Sequence, residues 1–99
     1  MTEDLTPGAV VSLPAILDVR AAEPLKAELM AVRGQPVTID ASAVDRLGGL
    51  GLQVLMSAAK TWRADGQVLT FINVSEALSE QWLAFGAPLN DLEAQDAAA

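Results

Sequence analysis

The chain contains no cysteine, no histidine and no tyrosine. Without cysteine there is no disulfide, no thiolate nucleophile and no thiolate metal site. Without histidine it lacks the side chain that most often moves protons near neutral pH, and the commonest metal ligand. Aromatics are few: Trp62, Trp82, Phe71 and Phe85 are the whole set. Positive charge is sparse as well. Arg20, Lys26, Arg33, Arg46, Lys60 and Arg63 stand scattered against 13 acids, for a formal net charge of −7. Phosphate backbones are bound by clustered Lys and Arg, so this balance argues against nucleic acid and weakly favours a basic partner surface. No apolar run reaches the roughly 18 residues a spanning helix needs, so no direct membrane insertion is expected. The opening residues, Met1 to Thr6, are acidic where a secretory signal starts basic, and the expected location is the cytoplasm.

What remains is a good core composition. Ninety-nine residues, 52% of them hydrophobic, suit one small domain built from Ala, Leu and Val, with the four aromatics as its large pieces. Residues 1–7 read as a loose leader. Ala9–Leu13 is a short β-branched run, a first or edge strand limited by Pro14. Asp18 is a candidate N-cap for a helix over 19–33, with Val19, Ala22, Leu25, Leu29 and Val32 as its apolar stripe. Pro24 lies early in that stretch, so the helix is expected to start late rather than to break. Gly34 marks its stop. Pro36–Asp40 reads as a buried strand. A helix over 49–64 follows, with Leu52, Leu55, Ala59 and Trp62 on one face and Asp65-Gly66 as its end. Gln67–Asn73 is the clearest strand. Ser75 caps a last helix over 76–86, with Leu78, Trp82 and Phe85 on one face and Gly86 closing it. Glu76 and Glu80 fall on its outward side. Strands alternating with helices predict an α/β domain with parallel pairing.

The stretch Leu47-Gly-Gly-Leu-Gly-Leu52 is the chain's most unusual feature, a glycine-rich turn between a strand and a helix. A phosphate-binding loop there needs a Lys and a hydroxyl at the helix start, and a dinucleotide site needs G-x-G-x-x-G. This turn has Leu52, Gln53 and Val54 after its glycines and reads G-G-L-G. The plainer role of such glycines is to turn the backbone sharply and let the helix approach the sheet. Asp40 and Asp45 are a candidate carboxylate pair at a strand end, where ligand sites gather in α/β sheets. No nucleophile or base stands near them. The plainer role of Asp40, and of Ser42, is to accept hydrogen bonds from N–H groups of the following turn. The two tryptophans read as packing rather than as ligand stackers. No catalytic set, cofactor site or metal site emerges, and a non-enzymatic binding module is expected.

Several stretches resemble, in order and spacing, the STAS domain, the fold of bacterial anti-sigma factor antagonists. Asp40-Ala-Ser-Ala-Val44 fits the end of that family's central strand and the following loop. Gly51-Leu52 fits the Gly-Leu at the start of its second helix. Gln67 to Ser75, followed by Leu78 and Phe85-Gly86, resembles the next strand and helix. Leu13, Leu17 and Asp18 resemble the family's start. The resemblance implies a single STAS-like domain over 1–99, loose at 1–7 and 90–99. It implies a small mixed sheet of four to five strands with helices packed mainly on one face.

The family's switch is phosphorylation of a serine in the glycine turn by a kinase that is also the anti-sigma factor, which adds charge at the contact and releases the partner. Aligned on Asp40 and Gly51-Leu52, the acidic residue before that serine falls on Gly48, the phosphoacceptor on Gly49 and the following serine on Leu50. Gly49 has no hydroxyl, and no Ser or Thr lies between Ser42 and Ser57. Ser57, two turns into the helix, is open to modification but has neutral packing as its ordinary role. The resemblance thus implies a signalling protein of the sigma-factor or chemotaxis type, binding a kinase-like anti-sigma factor or a signalling histidine kinase. The expected contact set is Asp45, Arg46, Gly48, Gly49, Leu50, Gln53 and Met56, on a monomer or weak dimer. Relatives without the serine also serve as small subunits of lipid-transport complexes, so a transport adaptor is one alternative. A nucleotide-binding domain is another.

Overall fold

The computed structural model describes residues 8–87. They form β1 (Ala9–Ser12), β2 (Ile16–Leu17), α1 (Val19–Ala31), β3 (Val37–Asp40), β4 (Arg46–Leu47), α2 (Gly49–Ala64), β5 (Leu69–Ile72) and α3 (Glu76–Ala84). The loose ends expected at 1–7 and 90–99 lie outside the described residues. The five strands divide into a three-stranded sheet, ordered β1-β3-β5, and a two-stranded one, β2-β4. All pairs among the described residues are parallel, with Val11 beside Ile39 and Ile39 beside Phe71. The alternation of each strand sets the two faces. Val11, Val37, Ile39, Leu69 and Phe71 are buried, whereas Val10, Thr38 and Thr70, aligned in register, are exposed or half-buried. The helices therefore cover one face of the larger sheet, as the resemblance implied.

Asp18 caps α1, accepting from the Arg20 and Ala21 N–H groups at 3.0 and 3.2 Å. The helix begins directly after it and runs through Pro24, so the expected late start is not observed. Pro24 lacks only the N–H that would meet the carbonyl of exposed Arg20, which water can satisfy, and the Asp18 cap anchors the first turn. Ala22, Leu25 and Leu29 are buried as expected. Val19 is not: it heads the stripe yet is 63% exposed, because it faces an open groove between α1 and α2.

In α2 the expected stripe of Leu52, Leu55, Ala59 and Trp62 is buried. The Trp62 indole N–H donates to the Gln35 carbonyl at 2.7 Å, tying the helix to the loop before β3. At the same end Arg33 holds Asp65 with two bonds, 2.8 and 3.2 Å. Ser75 caps α3 through the Leu78 N–H, and Leu78 and Trp82 fill the core. Trp82 meets Phe71 edge to face, ring centroids 6.4 Å apart. Phe85, expected beside them, is 49% exposed. It sits at the C-cap, past the last turn that faces the sheet, and Ala87 is the residue buried there.

Candidate functional site

β2 and β4 position the glycine turn. The Asp45 and Arg46 N–H groups donate to the Ala15 carbonyl at 2.7 and 3.0 Å, and the Gly48 N–H donates to the Leu17 carbonyl at 2.8 Å. Gly48 is the extended N-cap of α2, whose first bond runs from the Leu52 N–H to the Gly48 carbonyl. The three glycines differ in what they permit. A Cβ on Gly51 would lie 2.7 Å from the Leu17 carbonyl oxygen and 2.9 Å from its Cβ, so α2 reaches β2 only because Gly51 has no side chain. A Cβ on Gly48 would stand 3.2 Å from the same oxygen, and one on Gly49 would meet nothing within 4 Å. The close-approach role read from the sequence therefore belongs to Gly51, and Gly49 faces open space.

From below, α3 supports the approach to this turn. The Ser75 hydroxyl donates to the Val44 carbonyl at 2.7 Å, and the Gln81 carboxamide bonds both Leu47 and Asp45. Nothing in the sequence singles out Gln81, since a half-buried Gln on a short helix carries no pattern of its own.

The residues expected to form a contact surface lie together around the turn. Asp45, Arg46, Gly49, Leu50 and Gln53 are exposed, and Gly48 is half-buried. Met56 is also half-buried and packs against the core, which limits its share of any contact. The structure adds a neighbour that the spacing did not reveal. Beside Leu50 and Val54, α1 brings up Val19, Ala22 and Met30, forming an open groove of about 510 Å³ between the two helices. Val19, Leu50 and Met30 are 63%, 48% and 45% exposed, Val19 and Leu50 at the end of the groove beside the glycine turn and Met30 farther along α1. The groove's polar neighbours Glu23, Lys26, Gln53 and Ser57 are all exposed on the rim.

Asp40 fills the role of turn acceptor. Its carboxylate accepts the Ser42 N–H at 3.0 Å. That N–H, with the Ser42 hydroxyl and the Asn73 side chain, holds the Asp40 carboxyl below its ordinary value. Among the described residues no three acidic side chains gather to hold a metal ion. Ser57 is exposed on the rim of the groove, and Glu76 and Glu80 are exposed on α3. No described helix is long and apolar enough to cross a membrane.

Comparison with known proteins agrees with this architecture. No curated protein matches the chain. Among solved structures, a sulfate transporter family protein from Wolinella succinogenes superposes with a TM-score of 0.69, over 93% of this chain and 79% of that one. At 18% identity, that likeness speaks for the fold alone. The family model described as "Mlab, STAS domain" matches residues 1–87, which takes in every element from β1 to α3. The chain belongs to the STAS-domain family that this model describes.

Proposed function

We propose that the chain is a non-enzymatic regulatory module that binds a protein partner through the turn Asp45–Leu50, the first half of α2 and the adjoining groove against α1. The observation that carries the reading is the open groove between α1 and α2, with Val19 and Leu50 exposed at its end beside the turn where relatives carry their phosphoacceptor, and Met30 exposed farther along α1. Large apolar side chains left exposed along a groove with polar residues on its rim mark a candidate contact surface. Gly49 supplies no hydroxyl, so binding here is not controlled by phosphate at that position. The partner is a kinase-like anti-sigma factor or a signalling histidine kinase, in a bacterial partner-switching system.

A second reading makes the chain a small adaptor of a membrane transport complex. It is supported by the likeness to a sulfate transporter family protein and by the same missing hydroxyl. A nucleotide site has less support, because the turn offers no Lys or hydroxyl.

Co-purification from the native host tests the surface and separates the readings. The tagged wild-type chain, Gly49→Arg and Gln53→Glu are compared, with folding checked by circular dichroism. Space around Gly49 lets the arginine variant fold, and both substitutions should sharply reduce the retained partner. A folded Gly49→Arg chain that keeps its partner fully overturns the surface assignment. An anti-sigma factor or histidine kinase in the eluate supports the first reading, and an ATP-binding transport subunit supports the second.

A further inference from the structure

The two-stranded sheet has an unpaired side that a side chain occupies. Backbone groups alternate in direction along a strand. In β4 the Arg46 and Gly48 N–H groups face β2, so the Leu47 N–H and the Asp45 carbonyl face away. Those two groups are what a third parallel strand would bond, through the N–H and C=O of one residue. Here the Gln81 carboxamide takes that place. Its Oε1 accepts the Leu47 N–H at 2.7 Å and its Nε2 donates to the Asp45 carbonyl at 2.9 Å. The orientation is unambiguous, because the Leu47 N–H can only donate and the Asp45 carbonyl can only accept. Leu47 is buried, so its N–H has no alternative partner in water. A carboxylate could only accept, an ammonium could only donate, and leucine could do neither.

We propose that Gln81 is the positioning residue of the partner-facing turn. Its carboxamide acts as the third strand of the small sheet and fixes where Gly48, Gly49 and Leu50 stand. α3 thereby sets the geometry of a surface to which it contributes no contact. This inference rests on the partner-binding reading above.

The test compares the wild-type chain with Gln81→Leu and Gln81→Glu, using Glu80→Gln on the same helix as control. Amide hydrogen exchange and backbone chemical shifts are measured by NMR. Binding is measured to the purified protein that the wild-type chain retains from its host. In Gln81→Leu, which leaves the Leu47 N–H without its acceptor, Leu47 should exchange about tenfold faster than in the wild type, while Ile39 and Phe71 keep their rates; Gln81→Glu keeps that acceptor and loses only the bond to the Asp45 carbonyl, so Leu47 should stay closer to the wild-type rate. The shifts of 48–50 should move, and partner affinity should fall by about tenfold, the equivalent of one lost hydrogen bond's ordering. Glu80→Gln should change none of these.

Unchanged exchange at Leu47 in Gln81→Leu, or equal acceleration at every amide, overturns the positioning role. Local acceleration with full partner affinity, in a protein whose Gly49→Arg variant has lost its partner, also overturns it and leaves the surface reading standing. If Gly49→Arg keeps the partner too, the surface reading falls and the positioning role falls with it.

Discussion

At Gly51 the fold has room for a hydrogen and none for a methyl group. The Leu17 carbonyl oxygen and Cβ would lie 2.7 and 2.9 Å from an added Cβ, and both belong to a paired strand that cannot swing aside. Gly51→Ala must push α2 off β2, and an overpacked contact of this kind costs about 1–3 kcal/mol. The loss should appear as a lower thermal midpoint. Gly49→Ser meets nothing within 4 Å and should stay within about 0.5 kcal/mol of the wild type, as surface changes usually do. Equal midpoints for Gly51→Ala and the wild type would remove the close-approach argument. The contrast also bears on regulation: the fold tolerates a hydroxyl at Gly49, so its absence is not a packing requirement. The three glycines were plain in the sequence, but their different roles were not. The atoms that discriminate among them belong to Leu17, which only the β2–β4 pairing brings beneath the turn.

At the scale of elements, periodicity made the long pieces readable and left the short ones hidden. Leu52, Leu55, Ala59 and Trp62 repeat over enough turns to announce α2, and Asp18 and Ser75 announce two helix starts by their capping chemistry. β2 and β4 have two residues each, too few for any period, and exist because their backbones pair. Val19 and Phe85 leave their stripes for different reasons: Val19 faces the open groove between α1 and α2, and Phe85 sits at the C-cap, past the last turn of α3. The groove itself is not legible in the sequence, since it takes α1 and α2 side by side to define it. Ser75 shows one residue serving two elements. Its hydroxyl accepts the Leu78 N–H as cap of α3 and donates to the Val44 carbonyl before β4. Ser75→Ala loses both bonds and should cost about 1–2 kcal/mol, read as a lower urea midpoint. Ser75→Asp should recover only part of this, because a carboxylate can cap but cannot donate to Val44. Full recovery by aspartate would show that the bond to Val44 contributes nothing.

For the whole molecule, acid brings two opposing effects. A net charge of −7 means that protonation relieves repulsion as the pH falls toward the sequence pI of about 4.2. Against this, Asp40 and Asp65 both have carboxyls held below the ordinary value. The Ser42 N–H is the main cause for Asp40, and the hydrogen bond from Arg33 is the main cause for Asp65. A carboxyl that is more acidic in the folded state contributes stability above its unfolded pKa, about 3.9, and loses it as the pH falls through the lower folded value. The two groups should respond differently to salt. The Arg33–Asp65 pair is an exposed attraction between opposite charges, which salt screens, whereas Asp40 is held mainly by the Ser42 N–H at 3.0 Å, a neutral donor. Unfolding free energies measured from pH 6 down to pH 2, at low and high salt, separate these contributions. Asp40→Asn keeps an oxygen for the Ser42 N–H but has no charge to lose, so it should flatten the acid limb at both salt concentrations. Asp65→Asn should flatten it at low salt and do little at high salt. An Asp40→Asn limb as steep as the wild type's would show that its turn is indifferent to the carboxylate's charge, and the acid loss would then have to come from Asp65 and other groups.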